Sequence, residues 1–280
     1  MYRRVAIVTD STACLPSALT DELGITVAQI QVRIGDKLND ESRVPVPTLV
    51  NAMRGTLSVT TVPPDPGAFY WAYADAGAAG AEAVVSIHVS SRLSGTVDTA
   101  CNAAKQVRIP VHVVDTGTCG MSLGYAVLAA ADAAARGGDA RKVIGAAMHS
   151  FRRGTELIYV DTLEHLKRGG RISPAVAMLG TAVSMKPLLT MSEGQIKPLE
   201  KVIGTDRALR RMVDIAAKRA GEDRVDVAVE HFAAEDRAHE VLRRLRKKVP
   251  GARKYMLTQV SSAIGAHVGP GAIGVSISPV

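Results

Sequence analysis

The sequence predicts an α/β fold, with an N-terminal doubly wound, mostly parallel sheet followed by a second α+β domain. Three observations carry that expectation. Continuous apolar runs alternate with helical stretches over the first half, the pattern of a parallel sheet covered on both faces. Each run ends in a loop rich in Ser, Thr and Gly. Near residue 155 the alternation changes, and the connecting turns become too short to repeat the first layout. The expected division is an α/β domain over 1–155, carrying hydroxyl-rich anion-binding loops, and an α+β domain over 156–280.

The elements follow in order. Val5 to Val8 leads into Thr9-Asp10-Ser11-Thr12 and a helix from about Pro16. Ala83 to Val89 leads into Ser90 to Thr96 and a helix through Ala104. Val111 to Val114 leads into Asp115 to Gly120 and a helix to about Arg136, closed by Gly137-Gly138. In the second half, Glu156 to Val160 reads as a strand, followed by a short helix and the turn Lys167-Arg168-Gly169-Gly170-Arg171. A helix over 206–220, a strand over 225–229, a helix over 234–248 and strands over 254–260 and 272–277 complete the chain. No repeat of fixed period interrupts this order.

Composition narrows the function classes. With 280 residues, 47% hydrophobic and 22% charged, the chain has the balance of a soluble globular protein. Aromatics are only 4%, so the cores are aliphatic and stacked bases or sugars are poor candidate ligands. The apolar part of the start is too short for a signal peptide. The apolar stretch 121–135 contains Ser122, Gly124 and Asp132, and falls short of the roughly 18 residues of a membrane span. Cys14, Cys101 and Cys119 form no CxxC pair, which argues against a disulfide framework or zinc site and for a reducing, cytoplasmic setting. The histidines show no metal-ligand spacing.

The net charge of +7 gathers towards the C-terminal half. In 241–248 apolar residues share one helix face and bases the other. That face is either simply solvated or meets an acidic partner or a transient anionic membrane surface. Nucleic acid is not expected, because no recognition motif or interleaved aromatics accompany the bases.

Ligands of parallel α/β sheets bind beyond the carboxyl ends of the strands, where helices begin. All three hydroxyl-rich loops fall there. Helix N-termini expose unpaired N–H groups and favour an anion, and Ser94, Gly95 and Thr96 offer hydroxyls and a closely approaching backbone. The same Ser, Thr and Asp residues also serve as helix caps. Neither a GxxxxGK[ST] loop nor a GxGxxG after the first strand occurs, so no nucleotide or other cofactor is called for. Gly120-Met121-Ser122-Leu123-Gly124 matches a GxSxG nucleophile elbow that His267 would complete, making a serine hydrolase the alternative reading. Against it, Ser122 lies seven residues past the strand end near Asp115, within the helix. His267 itself sits in a run of small residues, Gly265 to Gly271, open to close approach. The stretch 175–189 spaces Met178, Leu179, Met185 and Leu188 for a helix whose face suits core or an apolar tube around a flexible chain.

Five segments together resemble the DegV family of bacterial fatty-acid-binding proteins. They are Thr9-Asp10-Ser11-Thr12, Ser91-Arg92-Leu93-Ser94-Gly95-Thr96, Leu163 to Ser173, Lys186-Pro187-Leu188-Leu189 and Gly265 to Gly271. The resemblance covers essentially the whole chain. It implies non-catalytic binding of a long-chain, palmitate-like fatty acid in an interdomain cleft, the second domain covering the acyl chain. It also implies a carboxylate held by Thr61 and Ser94, with Gly95, His267 and Arg171 at the same site. Ser11, Thr12 and Ser91 would support them, and Met178, Leu179, Met185 and Leu188 would line the tail. The expected role is presentation to a separate fatty-acid kinase, or lipid transport and metabolism, with no metal and no cofactor beyond the fatty acid. Two departures stand out. Thr61-Val62-Pro63-Pro64-Asp65 keeps only the threonine and one proline of the family's segment, and Asp65 would repel a carboxylate unless turned away. Ile203 stands where the resemblance expects an arginine associated with engaging the kinase.

Overall fold

The computed structural model describes residues 4–172 and 185–280. The first half runs β1 (Val5–Asp10), α1 (Ser17–Glu22), β2 (Ile25–Ala28), β3 (Gln31–Ile34), β4 (Lys37–Asp40), α2 (Val46–Arg54) and β5 (Val59–Val62). It continues through α3 (Pro66–Ala78), β6 (Ala83–His88), α4 (Thr96–Ala104), β7 (Val111–Asp115), α5 (Gly120–Ala135) and α6 (Ala140–Arg153). The second half runs β8 (Thr155–Tyr159), α7 (Glu164–Arg168), β9 (Met185–Ser192), β10 (Gln195–Ile203) and α8 (Thr205–Ala220). It ends with β11 (Val225–His231), α9 (Glu235–Lys248), β12 (Lys254–Gln259), α10 (Ser262–Val268) and β13 (Ile273–Pro279).

Four strands in the order β2-β1-β6-β7 form a wholly parallel sheet. Every residue of β6 is buried, because helices cover both faces of the sheet. Leu123, Ala126, Val127 and Ala130 of α5 pack on one face beside α6, and Phe69 and Tyr73 of α3 pack on the other beside α4. The predicted parallel, doubly wound layout is therefore present. Between strands β1 and β6 runs a buried polar chain. Tyr73 Oη lies 2.8 Å from Ser86 Oγ, which lies 2.6 Å from His88 Nε2, while His88 Nδ1 meets Asp10 Oδ2 at 3.0 Å. The backbone N–H groups of Val89 and Thr12 also donate to the Asp10 carboxylate, each at 3.0 Å. Asp10 thus ties the first two hydroxyl-rich loops together.

A small antiparallel sheet, β4-β3-β5, was not foreseen from the sequence. Its strands are four residues each and partly exposed, so they lack the apolar runs that marked the others. It matters because Thr61 sits on β5, opposite Val32.

The second half builds a six-stranded mixed sheet in the order β10-β9-β8-β13-β11-β12, in which only the β11–β12 pair is parallel. Helices α8 and α9 cover its outer face through Met212, Val213, Val241 and Leu245. The basic side of α9 faces outward as a solvated helix face, and many of its charges are met locally. Arg243 and Arg244 pair with Glu240, Arg244 also with Asp206, and Lys248 with Asp214. The inner face of the sheet packs Ile158, Val160, Leu189 and Phe232 against Met121, Tyr125 and Leu49 of the first half.

Residues 185–192 form a strand, which corrects the helical spacing read over 175–189. A strand sends neighbouring side chains to opposite faces. Leu188 therefore enters the outer core with α8, away from any tail-lining position, while Leu189 joins the inner core. Met185 opens the strand, paired with Ile203. Met178 and Leu179 lie outside the described residues.

Candidate functional site

A cavity, partly open to solvent, lies between the loops following β1 and β6 and the inner face of the six-stranded sheet. Its walls are largely apolar, with Leu93 and Val89 from the first half facing Ile158, Leu166, Val260 and Ile264 from the second. Thr61, Ser94, Arg171 and His267 also line it. The structure thus brings four of the sequence-predicted residues to one cavity from four separate elements.

Each of the four is held by a hydrogen bond. His267 lies in the last turn of α10, a correction to the expectation of an open glycine-rich turn. Its Nε2 is 2.8 Å from Thr61 Oγ1. Its Nδ1 is buried with no partner, packed against Gly169, where a Cβ would collide with the ring. Burial and then the nearby Arg171 charge lower its pKa to about 4, so the imidazole is neutral at neutral pH. An unpaired acceptor is better tolerated in the interior than an unpaired N–H. With the proton on Nε2, the ring donates to Thr61 Oγ1 and leaves the Thr61 hydroxyl proton for a ligand.

Ser94 Oγ lies 2.8 Å from Thr96 Oγ1 in the loop that starts α4. Arg171 donates from Nε to the Leu93 carbonyl at 3.0 Å and from Nη1 to the Gly169 carbonyl. Both acceptors are backbone carbonyls. Among the described residues no carboxylate pairs with Arg171, and desolvation lowers its pKa. A half-buried guanidinium held by backbone carbonyls, beside two hydroxyls and an imidazole, suits a carboxylate.

The remaining expectations divide. Thr12 lines the cavity, held by the Asp10 carboxylate. Ser11 turns away, its Oγ accepting from Ile30 N at 2.9 Å. Ser91 is exposed and donates to Asp115 Oδ2. Gly95 is exposed at the start of α4 and is not part of the cavity wall, where a Cβ would come within 3.3 Å of Pro63. Asp65 caps α3 by accepting from Gly67 N at 2.8 Å, and it faces solvent. Ser122 is the third residue of α5 and donates to Glu156 Oε2 at 2.7 Å. Its hydroxyl is thus engaged with a carboxylate while His267 engages Thr61, so the pair required for a serine nucleophile is not formed.

Two cavity residues escaped the sequence reading. Glu156 on β8 and Glu230 on β11 face each other across β13, with the Ser276 hydroxyl bridging the two carboxyl groups. Met121 N, at the start of α5, donates to Glu230 Oε1 at 2.9 Å. Gly120, at φ +61°, makes this approach available, because a Cβ there would lie 2.9 Å from the same oxygen. Burial raises the pKa of both acids, that of Glu230 to about 7. Their signal was an acidic residue inside a buried strand, Glu156 in Thr155–Tyr159 and Glu230 in Val225–His231.

The fold and cavity define an α/β protein in which a parallel and a mixed sheet enclose a largely apolar space with Arg171 in its wall. Over residues 4–280 the chain matches the family model described as an uncharacterised protein of the DegV family. It is 44% identical over 279 residues, 99% of each chain, to a DegV domain-containing protein of Streptomyces coelicolor. It is 32% identical over 274 residues, 98% of this chain and 96% of the relative, to one of Mycobacterium tuberculosis. A DegV family protein from Thermus thermophilus, solved in the context of its fatty acid binding, superposes with a TM-score of 0.90 at 29% identity, covering 99% of this chain and all of that one. DegV of Bacillus subtilis, a fatty acid binding protein, superposes with a TM-score of 0.90 at 28% identity over 100% of both chains. The chain belongs to the DegV family.

Proposed function

We propose that this protein binds a long-chain, palmitate-like fatty acid without transforming it. The observation that carries this reading is the guanidinium of Arg171, which lacks a carboxylate partner among the described residues, in the wall of a largely apolar cavity. In this reading Thr61 and Ser94 donate their hydroxyl protons to the carboxylate. His267 fixes the Thr61 hydroxyl, and Arg171 supplies the balancing charge. The acyl chain lies along the apolar walls, where each buried methylene is worth about 0.8 kcal/mol. The tail then supplies most of the affinity and the head group sets orientation. Residues 1–155 contribute the two hydroxyls, and 156–280 contribute Arg171 and His267 and cover the chain. Fatty-acid binding by the Thermus and Bacillus relatives supports the same reading.

A carrier with a buried ligand and no nucleotide loop delivers its cargo to another protein, and a cytoplasmic fatty-acid kinase that activates the carboxylate is the proposed recipient. Ile203, exposed at the end of β10, replaces the arginine that the family resemblance associates with engaging such a kinase. Loading from an anionic membrane surface through the exposed bases of α9 is compatible with this role. Denaturing extraction of the purified protein followed by mass spectrometry tests the binding. Release of a stoichiometric fatty acid is expected; protein that yields none and takes up no added palmitate would overturn the proposal.

A further inference from the structure

The cavity has a second end. Strand β8 runs from Glu156 towards the α7 turn that carries Arg171, and β13 runs from the α10 side that carries His267 towards Ser276. In register, Ser276 stands opposite Glu156, while Gly274 stands opposite both Ile158 and Glu230. The carboxyl pair therefore closes the cavity at the end remote from the cluster of Thr61, Arg171 and His267. Glu156 also lines a separate, open and polar cleft beside Ser122, Thr118 and Arg152. Its side chain is the partition between that cleft and the apolar cavity.

We propose that Glu156 and Glu230 form a floor that sets the length of the bound acyl chain, the terminal methyl stopping against their carboxyl pair. The inference rests on the fatty-acid reading and names what that site selects. The floor is built to stay closed. Ser122 donates to Glu156, Met121 N donates to Glu230, and the Ser276 hydroxyl bridges the two carboxyl groups. A methyl group gains nothing by entering this network, and separating its members leaves buried donors unpaired at roughly 1–3 kcal/mol each. Burial raises the pKa of both acids, so the pair retains a proton and presents the tail with less charge than two carboxylates would. Gly274 leaves the space directly above the floor open. A Cβ there would sit 3.3 Å from Glu156 Oε1 and from Glu230 Oε2.

The two positions give opposite expectations. Glu156→Ala removes the partition and joins the cavity to the polar cleft, so the preferred saturated chain lengthens by about two carbons. Gly274→Ala raises the floor and shortens the preferred chain by about one carbon. Glu156→Gln, which keeps the bulk of the side chain, shifts the preference far less than Glu156→Ala. The measurement is the length profile of acids extracted from each purified protein, checked by competition among saturated acids of graded length. Wild-type profiles for both Glu156→Ala and Gly274→Ala, in proteins that still carry fatty acid, overturn the floor. So does a Glu156→Gln shift as large as that of Glu156→Ala, which would make charge rather than length the determinant. Wild-type protein without any fatty acid would instead overturn the binding proposal itself. Should Glu156→Ala fail to fold, Gly274→Ala decides alone.

Discussion

Replacing Ser94 by alanine separates the work of the head group from that of the tail. Ser94 Oγ lines the cavity and lies 2.8 Å from Thr96 Oγ1, itself fully buried. A hydroxyl donating to a carboxylate contributes about 1.5–3 kcal/mol, so Ser94→Ala should weaken fatty-acid binding roughly 10- to 150-fold. At about 0.8 kcal/mol per methylene, the same loss should follow from shortening the ligand by about two to four carbons. The variant with a long acid and the wild type with a correspondingly shorter one should therefore bind alike. Displacement of a fluorescent fatty acid by acids of graded length gives both numbers. Losing its Ser94 partner also costs Thr96 stability, so the ligand-free variants are compared by urea unfolding to keep the two effects apart. An affinity for the long acid unchanged by Ser94→Ala would refute the assignment of Ser94 to the carboxylate. Equal losses for long acids and for their methyl esters would do the same, because an ester carries no charge for the hydroxyl to meet.

Stability should depend on pH through the buried acids. The folded-state pKa of Glu230 is raised from 4.5 to about 7 by burial, so the folded protein holds a proton that the unfolded chain releases. Stability contributed by this group is present below pH 4.5 and is lost as pH rises towards 7. Glu230→Gln keeps an acceptor for Met121 N and should flatten that slope in urea unfolding across pH; an unchanged slope would remove Glu230 from the account. Gly169→Ala should push the His267 ring aside, costing about 1–3 kcal/mol of stability and most of the binding. At Gly170, with φ +69° and open space around it, alanine should cost only backbone strain of about 1 kcal/mol and leave binding intact. Equal binding losses at both glycines would show that the ring contact is not what matters.

Much of the fold was legible because its signals are local. The apolar runs of β1, β6 and β7, each followed by a hydroxyl-rich loop and a helix, announced the parallel sheet, and the five DegV-like segments announced the family. The small β3-β4-β5 sheet was not legible, since short half-exposed strands carry no periodic signature of their own. The strand over 185–192 was read as helical spacing for a related reason. Over a few residues an apolar run fits a helix or a strand, and only pairing with β8 and β10 decides between them.

The hydroxyl-rich loops show the same division within the site. By itself the sequence determined that hydroxyls would gather where strands give way to helices, because strand ends and helix starts are written in adjacent residues. The tertiary structure alone decided which of them face the cavity. Ser94 and Thr12 do, whereas Ser91 turns to Asp115 and Ser11 to Ile30. It also decided that Glu156 and Glu230, on strands far apart in the chain, would meet across Ser276. Side-chain direction follows strand register and the packing of distant elements, and no local pattern encodes either.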